Sequence, residues 1–257
     1  MAILQVQNLA KTFDGLKAVD DVSFDIQQGS ITALIGPNGS GKTTVFNLVT
    51  GFVRPDHGEV FLKGNRITRS EPHKIARMGI GRTFQTIRLF PQVSVLENVL
   101  LALSDHKSES LWAAVARTKA MLNEEESNRE KAIEFLRLVG LEEQKNRPAG
   151  NLSHGQRNRL ELARVLATGA ELLLLDEPTA GLFPQAIMEA LKVIKEVRDR
   201  GKTVLFIAHD MKVVMGIAEQ IIVLNHGKKI AEGTPEQIQK NDAVVEAYLG
   251  RRRRIAT

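Results

Sequence analysis

The chain has 257 residues, 43% of them hydrophobic, which is enough for one large domain or two small ones with a real core. Its charge of +5 comes from 35 Lys and Arg against 30 Asp and Glu, and Arg251–Arg254 contributes most of that excess, so the near-neutral body gives little support for nucleic-acid binding. The sequence has no cysteine, signal-peptide pattern or membrane-length apolar run, which excludes disulfides and thiolate metal sites and predicts a soluble, cytosolic protein that would serve a membrane only from the side.

The predicted elements change character twice along the chain. Residues 3 to 34 predict short strands broken by turns, because their apolar residues alternate only in part. A strand and a helix entered near Pro72 follow, and residues 91 to 150 are mainly helical. The last third alternates helix and strand, which predicts right-handed βαβ crossovers and a parallel sheet covered by helices. The predicted strands after residue 34 are Glu59–Leu62, Glu171–Leu175, Lys202–Ala208 and Gln220–Leu224. The predicted helices are one within Asn65–Met78, entered near Ser70–Pro72, and Thr118–Val139, Gln156–Ala167, Gln185–Arg200 and Met211–Ala218.

The strongest local pattern is Gly36–Thr44, which contains G-x-x-x-x-G-K-T between a β-prone run, Ile31–Ile35, and a helix-like run, Val45–Val49. Glycines let consecutive backbone N–H groups turn inward around phosphate oxygens, and the next helix adds its N-terminal donors and positive dipole end. Lys42 is predicted to reach the β- and γ-phosphates, and Thr43 to supply a hydroxyl to Mg²⁺. A Gly-rich turn between strand and helix is the alternative. The predicted nucleotide-binding residues of this loop are Gly36, Asn38, Gly39, Ser40, Gly41, Lys42, Thr43 and Thr44.

Two acidic residues follow four consecutive leucines, Leu172–Leu175, which suit a strand buried on both faces of a parallel sheet. Ligands bind at the carboxyl ends of such strands, where Asp176 and Glu177 fall. We predict that Asp176 holds Mg²⁺, through water, and that Glu177 orients and deprotonates an attacking water. The alternative is that the two residues only cap a strand and begin a turn.

A third pattern, Ser153–Gln156, matches the S-x-x-Q capping box directly before a helical run. A helix is therefore predicted to start at Ser153, and its N-terminus offers another anion site. By itself this pattern is a routine helix cap.

Taken in order, these motifs resemble those of the ATP-binding cassette ATPases. Leu152–Gln156 is similar to the family's LSGGQ signature, and Leu172–Glu177 to its Walker B strand with catalytic glutamate. Gln85 falls where the Q-loop glutamine stands, and His209 where the switch histidine stands. Phe13 lies where an aromatic side chain stacks on adenine, although a Phe in a β region is more often part of a core.

The resemblance covers residues 3–249 and implies an α/β fold with a P-loop (RecA-like) parallel-sheet core, an antiparallel β subdomain and a helical subdomain. It implies a single ATPase domain over residues 1–249, followed by a basic tail at 250–257. The implied parts are 3–90 for the β subdomain and the first part of the core, 91–150 for the helical subdomain, and 151–249 for the signature helix and the rest of the core.

In this family two cassettes pack head to tail, and each ATP lies between the P-loop of one and the signature helix of the other. The resemblance therefore implies ATP and Mg²⁺ as cofactors and a second cassette, identical or paralogous, as partner. The implied roles are catalysis for Glu177, His209 and Gln85, metal binding for Thr43, Gln85 and Asp176, and contact with the partner's ATP for Ser153, His154, Gly155 and Gln156. His209 would act as a hydrogen-bonding clamp on the γ-phosphate.

Two positions depart from the family pattern. His154 stands where the signature has its first glycine, and its side chain is expected to point away from the nucleotide. Phe183 stands where many members carry the D-loop aspartate, and it could be an interface contact.

Four further runs carry a closer resemblance: Gly81–Phe90, His209–Met215, Glu232–Glu236 and Ala247–Gly250. On these runs the chain most resembles, within the family, the branched-chain amino acid importer ATPases of the LivG type. That resemblance implies a separate integral-membrane permease, an external substrate-binding protein, no nucleic acid, and a peripheral position on the cytoplasmic face of the cell membrane. Leu89, Phe90 and Val95 are candidates for the permease contact, with ordinary core packing as the alternative. ATPases of urea or amide importers or of lipopolysaccharide export, and soluble cassettes that act on nucleic acid, are the alternative functions.

Overall fold

The computed structural model describes residues 1–84, 89–103 and 119–249. Its strands are β1 Ala2–Phe13, β2 Leu16–Gln27, β3 Ile31–Ile35, β4 His57–Leu62, β5 Asn65–Arg66, β6 Ile80–Arg82, β7 Leu172–Asp176, β8 Thr203–Ile207, β9 Gln220–Asn225 and β10 Lys228–Gly233. Its α-helices are α1 Lys42–Val49, α2 Pro72–Arg77, α3 Val95–Leu103, α4 Lys119–Leu138, α5 His154–Ala167, α6 Pro184–Asp199, α7 Met211–Ile217, α8 Pro235–Gln239 and α9 Asp242–Leu249. In this part of the chain no helix is both long and apolar enough to cross a membrane.

The N-terminal strands form an antiparallel sheet in the order β2-β1-β4-β5. The prediction of short, broken strands is wrong here, because β1 and β2 are 12 residues each and form one hairpin. Its two-residue turn is Asp14-Gly15, and both residues have positive φ, as a tight hairpin turn requires. Register shifts along the β1–β2 pairing disturb the side-chain alternation, which explains why the sequence pattern looked interrupted.

The second sheet has the order β10-β9-β3-β8-β7-β6 and is parallel except for β10, which pairs antiparallel with β9. Its central strands are buried on both faces, as the run Leu172–Leu175 predicted. Leu173 and Leu175 pack in one hydrophobic cluster, while Leu172 and Leu174 pack in another. The strand β7 therefore lies between two hydrophobic cores, and its carboxyl end lies at the edge of both. The predicted fold class is confirmed.

Most predicted helices and strands of the last third are present within one or two residues of their predicted bounds. The helix predicted within Asn65–Met78, entered near Ser70–Pro72, is confirmed as α2. Before it, Asn65 and Arg66 pair with β4, after a turn in which Lys63 and Gly64 have positive φ. The helix is confined to Pro72–Arg77, and Gly79, with φ 110°, follows it.

The described residues between 91 and 150 contribute helices and no strand to either sheet. The division of the chain into subdomains at residues 90 and 150 stays a prediction. The predicted basic tail lies outside the described residues, as does Gln85.

Candidate functional site

The phosphate loop of the sequence pattern connects β3 to α1 at the carboxyl edge of the parallel sheet. The Lys42 ammonium is buried against its own loop, where Nζ donates to the carbonyl oxygens of Gly36 at 2.9 Å and Pro37 at 3.0 Å. Burial lowers the pKa of Lys42, and the nearby Glu177 and Asp176 carboxylates act against that shift. The loop therefore presents a desolvated cation close to two carboxylates.

Two glycines of the loop are required by close backbone approaches. A Cβ on Gly36 would lie 2.1 Å from the carbonyl oxygen of Leu224, and one on Gly41 would lie 2.3 Å from that of Ala18. Gly41 also has φ 100°, which other residues rarely adopt. The loop thus keeps its shape only with glycine at both positions.

The open side of the loop faces a cavity of about 460 Å³, a size typical of small-molecule sites. Its lining consists of Leu16, Lys17, Ala18, His226 and the loop residues Gly39–Thr44. Phe13 pairs with Leu16 at the hairpin turn, and its side chain is 43% exposed. Core packing, the alternative for Phe13, is therefore wrong, and the Nζ of Lys11 lies 5.4 Å from the ring centroid.

The acidic pair lies at the end of β7, as predicted, but in two different environments. Asp176 is buried, and its Oδ2 lies 3.3 Å from Nη2 of Arg82. Burial raises the pKa of Asp176, while the charge and hydrogen bond of Arg82 lower it. Glu177 has φ 53°, and its Oε1 lies 2.6 Å from Nε2 of His209, which follows β8. The structure thus brings Glu177 and His209 into direct contact.

Ser153 is the N-cap of α5, and the predicted capping box is present. Its Oγ accepts from the Gln156 N–H at 3.3 Å, and the Gln156 Oε1 accepts from the Ser153 N–H at 2.9 Å. The described lining of the phosphate-loop cavity includes no residue of Ser153–Gln156. His154 instead lines a separate cavity of its own chain, beside Asp176 and Glu177. The signature residue His154 and the phosphate loop therefore line two different cavities of the described chain.

The apolar candidates for partner contacts differ in exposure. Phe183 is 84% exposed and Phe90 is 51% exposed, whereas Leu89 packs partly against the core. Val95 is fully buried, so a permease contact through Val95 is wrong and core packing applies.

Two residues near the site were missed by sequence reasoning. Arg82, in the run leading to Gln85, forms the buried ion pair with Asp176. Tyr248 on α9 is 37% exposed, and partial burial raises the pKa of its phenol while a hydrogen bond with the Gly36 backbone lowers it. A cavity of about 470 Å³ lies between the loop residues Pro37–Ser40 and the α9 residues Ala243, Glu246 and Ala247. Arg82 lies three residues before Gln85, and that position is a signal in the sequence. No local pattern places Tyr248 beside the phosphate loop, which lies about 200 residues earlier in the chain.

A family model described as ABC transporter matches residues 19–180, which is more than half of the chain. The chain therefore belongs to the ABC transporter family, as the motifs predicted. A second model, described as branched-chain amino acid ATP-binding cassette transporter, matches residues 228–253.

Relatives of known name and solved structures agree with this assignment. The chain is 43% identical over 249 residues to the high-affinity branched-chain amino acid transport ATP-binding protein LivG of Escherichia coli (strain K12), covering 96% of this chain and 98% of that protein. It is 44% identical over the same length, with the same coverage, to BraF of Pseudomonas aeruginosa, which carries the same description. The ADP conformation of MJ1267, an ATP-binding cassette of an ABC transporter, superposes with a TM-score of 0.84 at 34% identity, covering 97% and 99% of the two chains. A dimeric post-hydrolysis structure of the cassette MJ0796, bound to ADP and Pi, superposes with a TM-score of 0.75 at 29% identity, covering 90% and 98%.

Proposed function

We propose that this chain is the ATP-hydrolysing subunit of an importer for branched-chain or other amino acids. It dimerises around two Mg-ATP and drives import through a separate permease. The names of relatives that align over nearly the whole chain support the class of cargo. The observation that carries the ATPase assignment is the phosphate loop with buried Lys42, next to Asp176 and Glu177 at the same edge of the sheet.

The residues present fit a nucleotide. Ser40 Oγ is buried and makes no hydrogen bond within the described residues, so a phosphate oxygen would satisfy it. The Lys42 ammonium donates to two backbone carbonyl oxygens. A phosphate oxygen would displace them, because a charged acceptor binds an ammonium more strongly than a neutral one does. Phe13 would stack on the adenine. Phosphate contacts would also come from the backbone of Gly36, Asn38, Gly39, Gly41, Thr43 and Thr44.

The donor set also fits Mg²⁺. Within the described residues no cluster of three or more His, Asp or Glu forms a metal cage. Mg²⁺ in nucleotide sites keeps several waters and takes only one or two carboxylates, with the phosphates as further ligands. Thr43, Asp176 and Gln85 would hold the ion here. When bound, it neutralises the charge on the β- and γ-phosphates.

The chemistry assigned to the protein is proton transfer and positioning. Glu177 accepts a proton from the attacking water at Oε1 or Oε2. His209, whose Nε2 already lies 2.6 Å from Glu177 Oε1, holds that carboxylate in the resting chain and clamps the γ-phosphate in the loaded one. Gln85, as a proposed metal ligand, would sense whether Mg-nucleotide is bound.

A second cassette, identical or paralogous, completes each site. Its signature residues Ser153, His154, Gly155 and Gln156 would face the ATP on this chain's Lys42. The N-terminus of α5 supports this assignment, because a helix start offers free N–H donors to an anion. Phe183, exposed at the adjoining loop, would lie in the contact between the two chains.

The remaining partners are an integral-membrane permease and, indirectly, an external substrate-binding protein. The chain would lie on the cytoplasmic face of the membrane, and Phe90 with Leu89 would contact the permease. The 51% exposure of the apolar Phe90 side chain supports such a contact, and Leu89 beside it is partly buried. Nucleic acid is not a proposed ligand.

The test is the variant Glu177→Gln. It keeps the size of the side chain but removes the base, so hydrolysis should be nearly abolished while Mg-ATP still binds. Gel filtration with Mg-ATP should then show a stable dimer. Glu171→Gln is the matched control, because Glu171 is an exposed partner of Lys63 and should leave both activity and assembly unchanged. A Glu177→Gln protein that stays monomeric with Mg-ATP would show that the glutamate assignment or the shared site is wrong.

A further inference from the structure

Arg82, the last residue of β6, connects two halves of the nucleotide site. Its Nη2 lies 3.3 Å from Oδ2 of Asp176 on the neighbouring strand. Its Nη1 donates to Asn47 Oδ1 at 2.8 Å and to Thr50 Oγ1 at 3.1 Å. Asn47 lies on α1 and Thr50 directly follows it, so one guanidinium binds the carboxyl end of β7 to the helix that begins at Lys42.

This bridge is shielded from water. The side chains of Arg82 and Asp176 are only 6% and 5% exposed. The Arg82 Cζ lies 5.5 Å from the ring centroid of Phe46, 5.9 Å from that of Phe52 and 5.1 Å from that of Phe84. Solvent screens a buried ion pair far less than a surface pair. The Arg82–Asp176 pair therefore holds its two side chains firmly in place.

The shape of the guanidinium suits this double contact. Arginine presents donors in a rigid planar fork, whereas the ammonium of lysine is a point charge on a flexible stem. Only one Asp176 oxygen is used by Arg82, and a carboxylate has acceptor sites to spare on the other. The second oxygen therefore remains available for the hydration shell of a metal ion.

We propose that Arg82 is a positioning residue for the magnesium site, holding the Asp176 carboxylate at a fixed place relative to Thr43 on α1 before Mg-nucleotide arrives. This inference rests on the proposed ATPase function. In this proposal Arg82 does not contact the nucleotide. Its effect is confined to the part of nucleotide affinity that depends on the metal.

The test compares the dissociation constant of a non-hydrolysable ATP analogue in excess MgCl₂ with that in EDTA. Loss of an outer partner of a metal ligand typically weakens metal binding by roughly 10–100-fold. In Arg82→Met the gain in affinity on adding Mg²⁺ should therefore fall by about tenfold or more, while affinity in EDTA stays near that of the wild type. Arg82→Lys keeps the charge without the fork and should restore only part of the gain.

Two further variants separate positioning from a structural role. Arg66→Met removes an arginine from an exposed ion pair with Glu59 and should leave both dissociation constants unchanged. Asn47→Ala keeps the ion pair with Asp176 but removes the 2.8 Å bond to α1, so it should lower the Mg²⁺ gain while leaving affinity in EDTA intact. If Arg82→Met does not fold, Asn47→Ala tests the proposal in its place.

The outcomes are distinct. A wild-type Mg²⁺ gain in both Arg82→Met and Asn47→Ala would overturn the inference and leave the proposed function standing. An equal loss of affinity in EDTA and in MgCl₂ would also overturn it, because that pattern means a structural role only. A wild-type chain that binds no analogue under either condition would refute the proposed function itself.

Discussion

At the residue scale, the resting state of Lys42 explains how a buried cation is tolerated before a ligand arrives. Its ammonium is held by two carbonyl oxygens of its own loop, which replace part of its hydration. The same contacts fix the loop in a conformation close to a phosphate cradle. We therefore expect little rearrangement of the backbone when a nucleotide binds.

Lys42→Ala should weaken nucleotide binding itself. Hydrogen bonds to charged groups contribute about 1.5–3 kcal/mol, which corresponds to a loss of roughly ten- to a hundredfold in affinity. Titration with a fluorescent ATP analogue measures the change. Lys63→Ala is the control, because Lys63 forms an exposed ion pair away from the loop and should bind as the wild type does. Unchanged affinity in Lys42→Ala would count against the phosphate-cradle role.

The individual residues of the site were largely predictable, and their contacts were not. Residue types and spacing indicated Lys42, Asp176 and Glu177, because phosphate and metal chemistry restricts which side chains can serve. The contact of Glu177 with His209 depends on β7 and β8 being neighbours, which no local pattern states. Likewise, Arg82 reaches Asp176 only because β6 pairs with β7.

At the element scale, two capping boxes that share the same residue pattern offer a matched comparison. Ser153 with Gln156 begins α5, and Thr234 with Gln237 begins α8. Both boxes satisfy helix N–H groups in the same way, but only the first lies in a predicted contact with ATP.

Ser153→Ala and Thr234→Ala should therefore differ in function more than in stability. Loss of an N-cap typically costs about 1 kcal/mol, so urea unfolding should show a similar small loss in each variant. ATP turnover should fall in Ser153→Ala and stay near wild type in Thr234→Ala. Equal turnover in the two variants would mean that Ser153 is a helix cap and nothing more.

Elements were predictable where one physical rule decides them. Strands buried on both faces, such as β7 and β8, appear as short apolar runs with clear limits. The β1–β2 hairpin was misjudged because its bulges break the alternation that marks a strand. The strand β5 was not predicted, because a two-residue edge strand carries too little pattern to mark it.

At the scale of the whole molecule, the separation of Ser153 from the phosphate-loop cavity makes assembly part of the proposed catalysis. Each chain then supplies one half of two different sites. ATP contributes to the stability of the dimer because it contacts both chains.

Mixing two inactive variants tests this arrangement. Lys42→Ala lacks a working phosphate loop, and Ser153→Arg blocks the signature with a bulky cation. Where the chain pairs with its own copy, random mixing makes half the dimers mixed, and each has one intact site, so about one quarter of wild-type activity should return. Ser153→Arg alone should bind ATP as a monomer but not turn it over. Full turnover by Ser153→Arg alone, at any dilution, would exclude a shared site.

The contact between α9 and the phosphate loop has a practical consequence for trimming this protein. The P-loop, signature and Walker B motifs all end before α6, so a minimal ATPase designed from those three motifs alone would stop short of Tyr248. Such a shortened chain would lose the α9 wall of the cavity of about 470 Å³ beside Pro37–Ser40, although none of these three motifs had been touched. Truncation limits chosen from motifs alone would therefore remove residues that lie beside the phosphate loop.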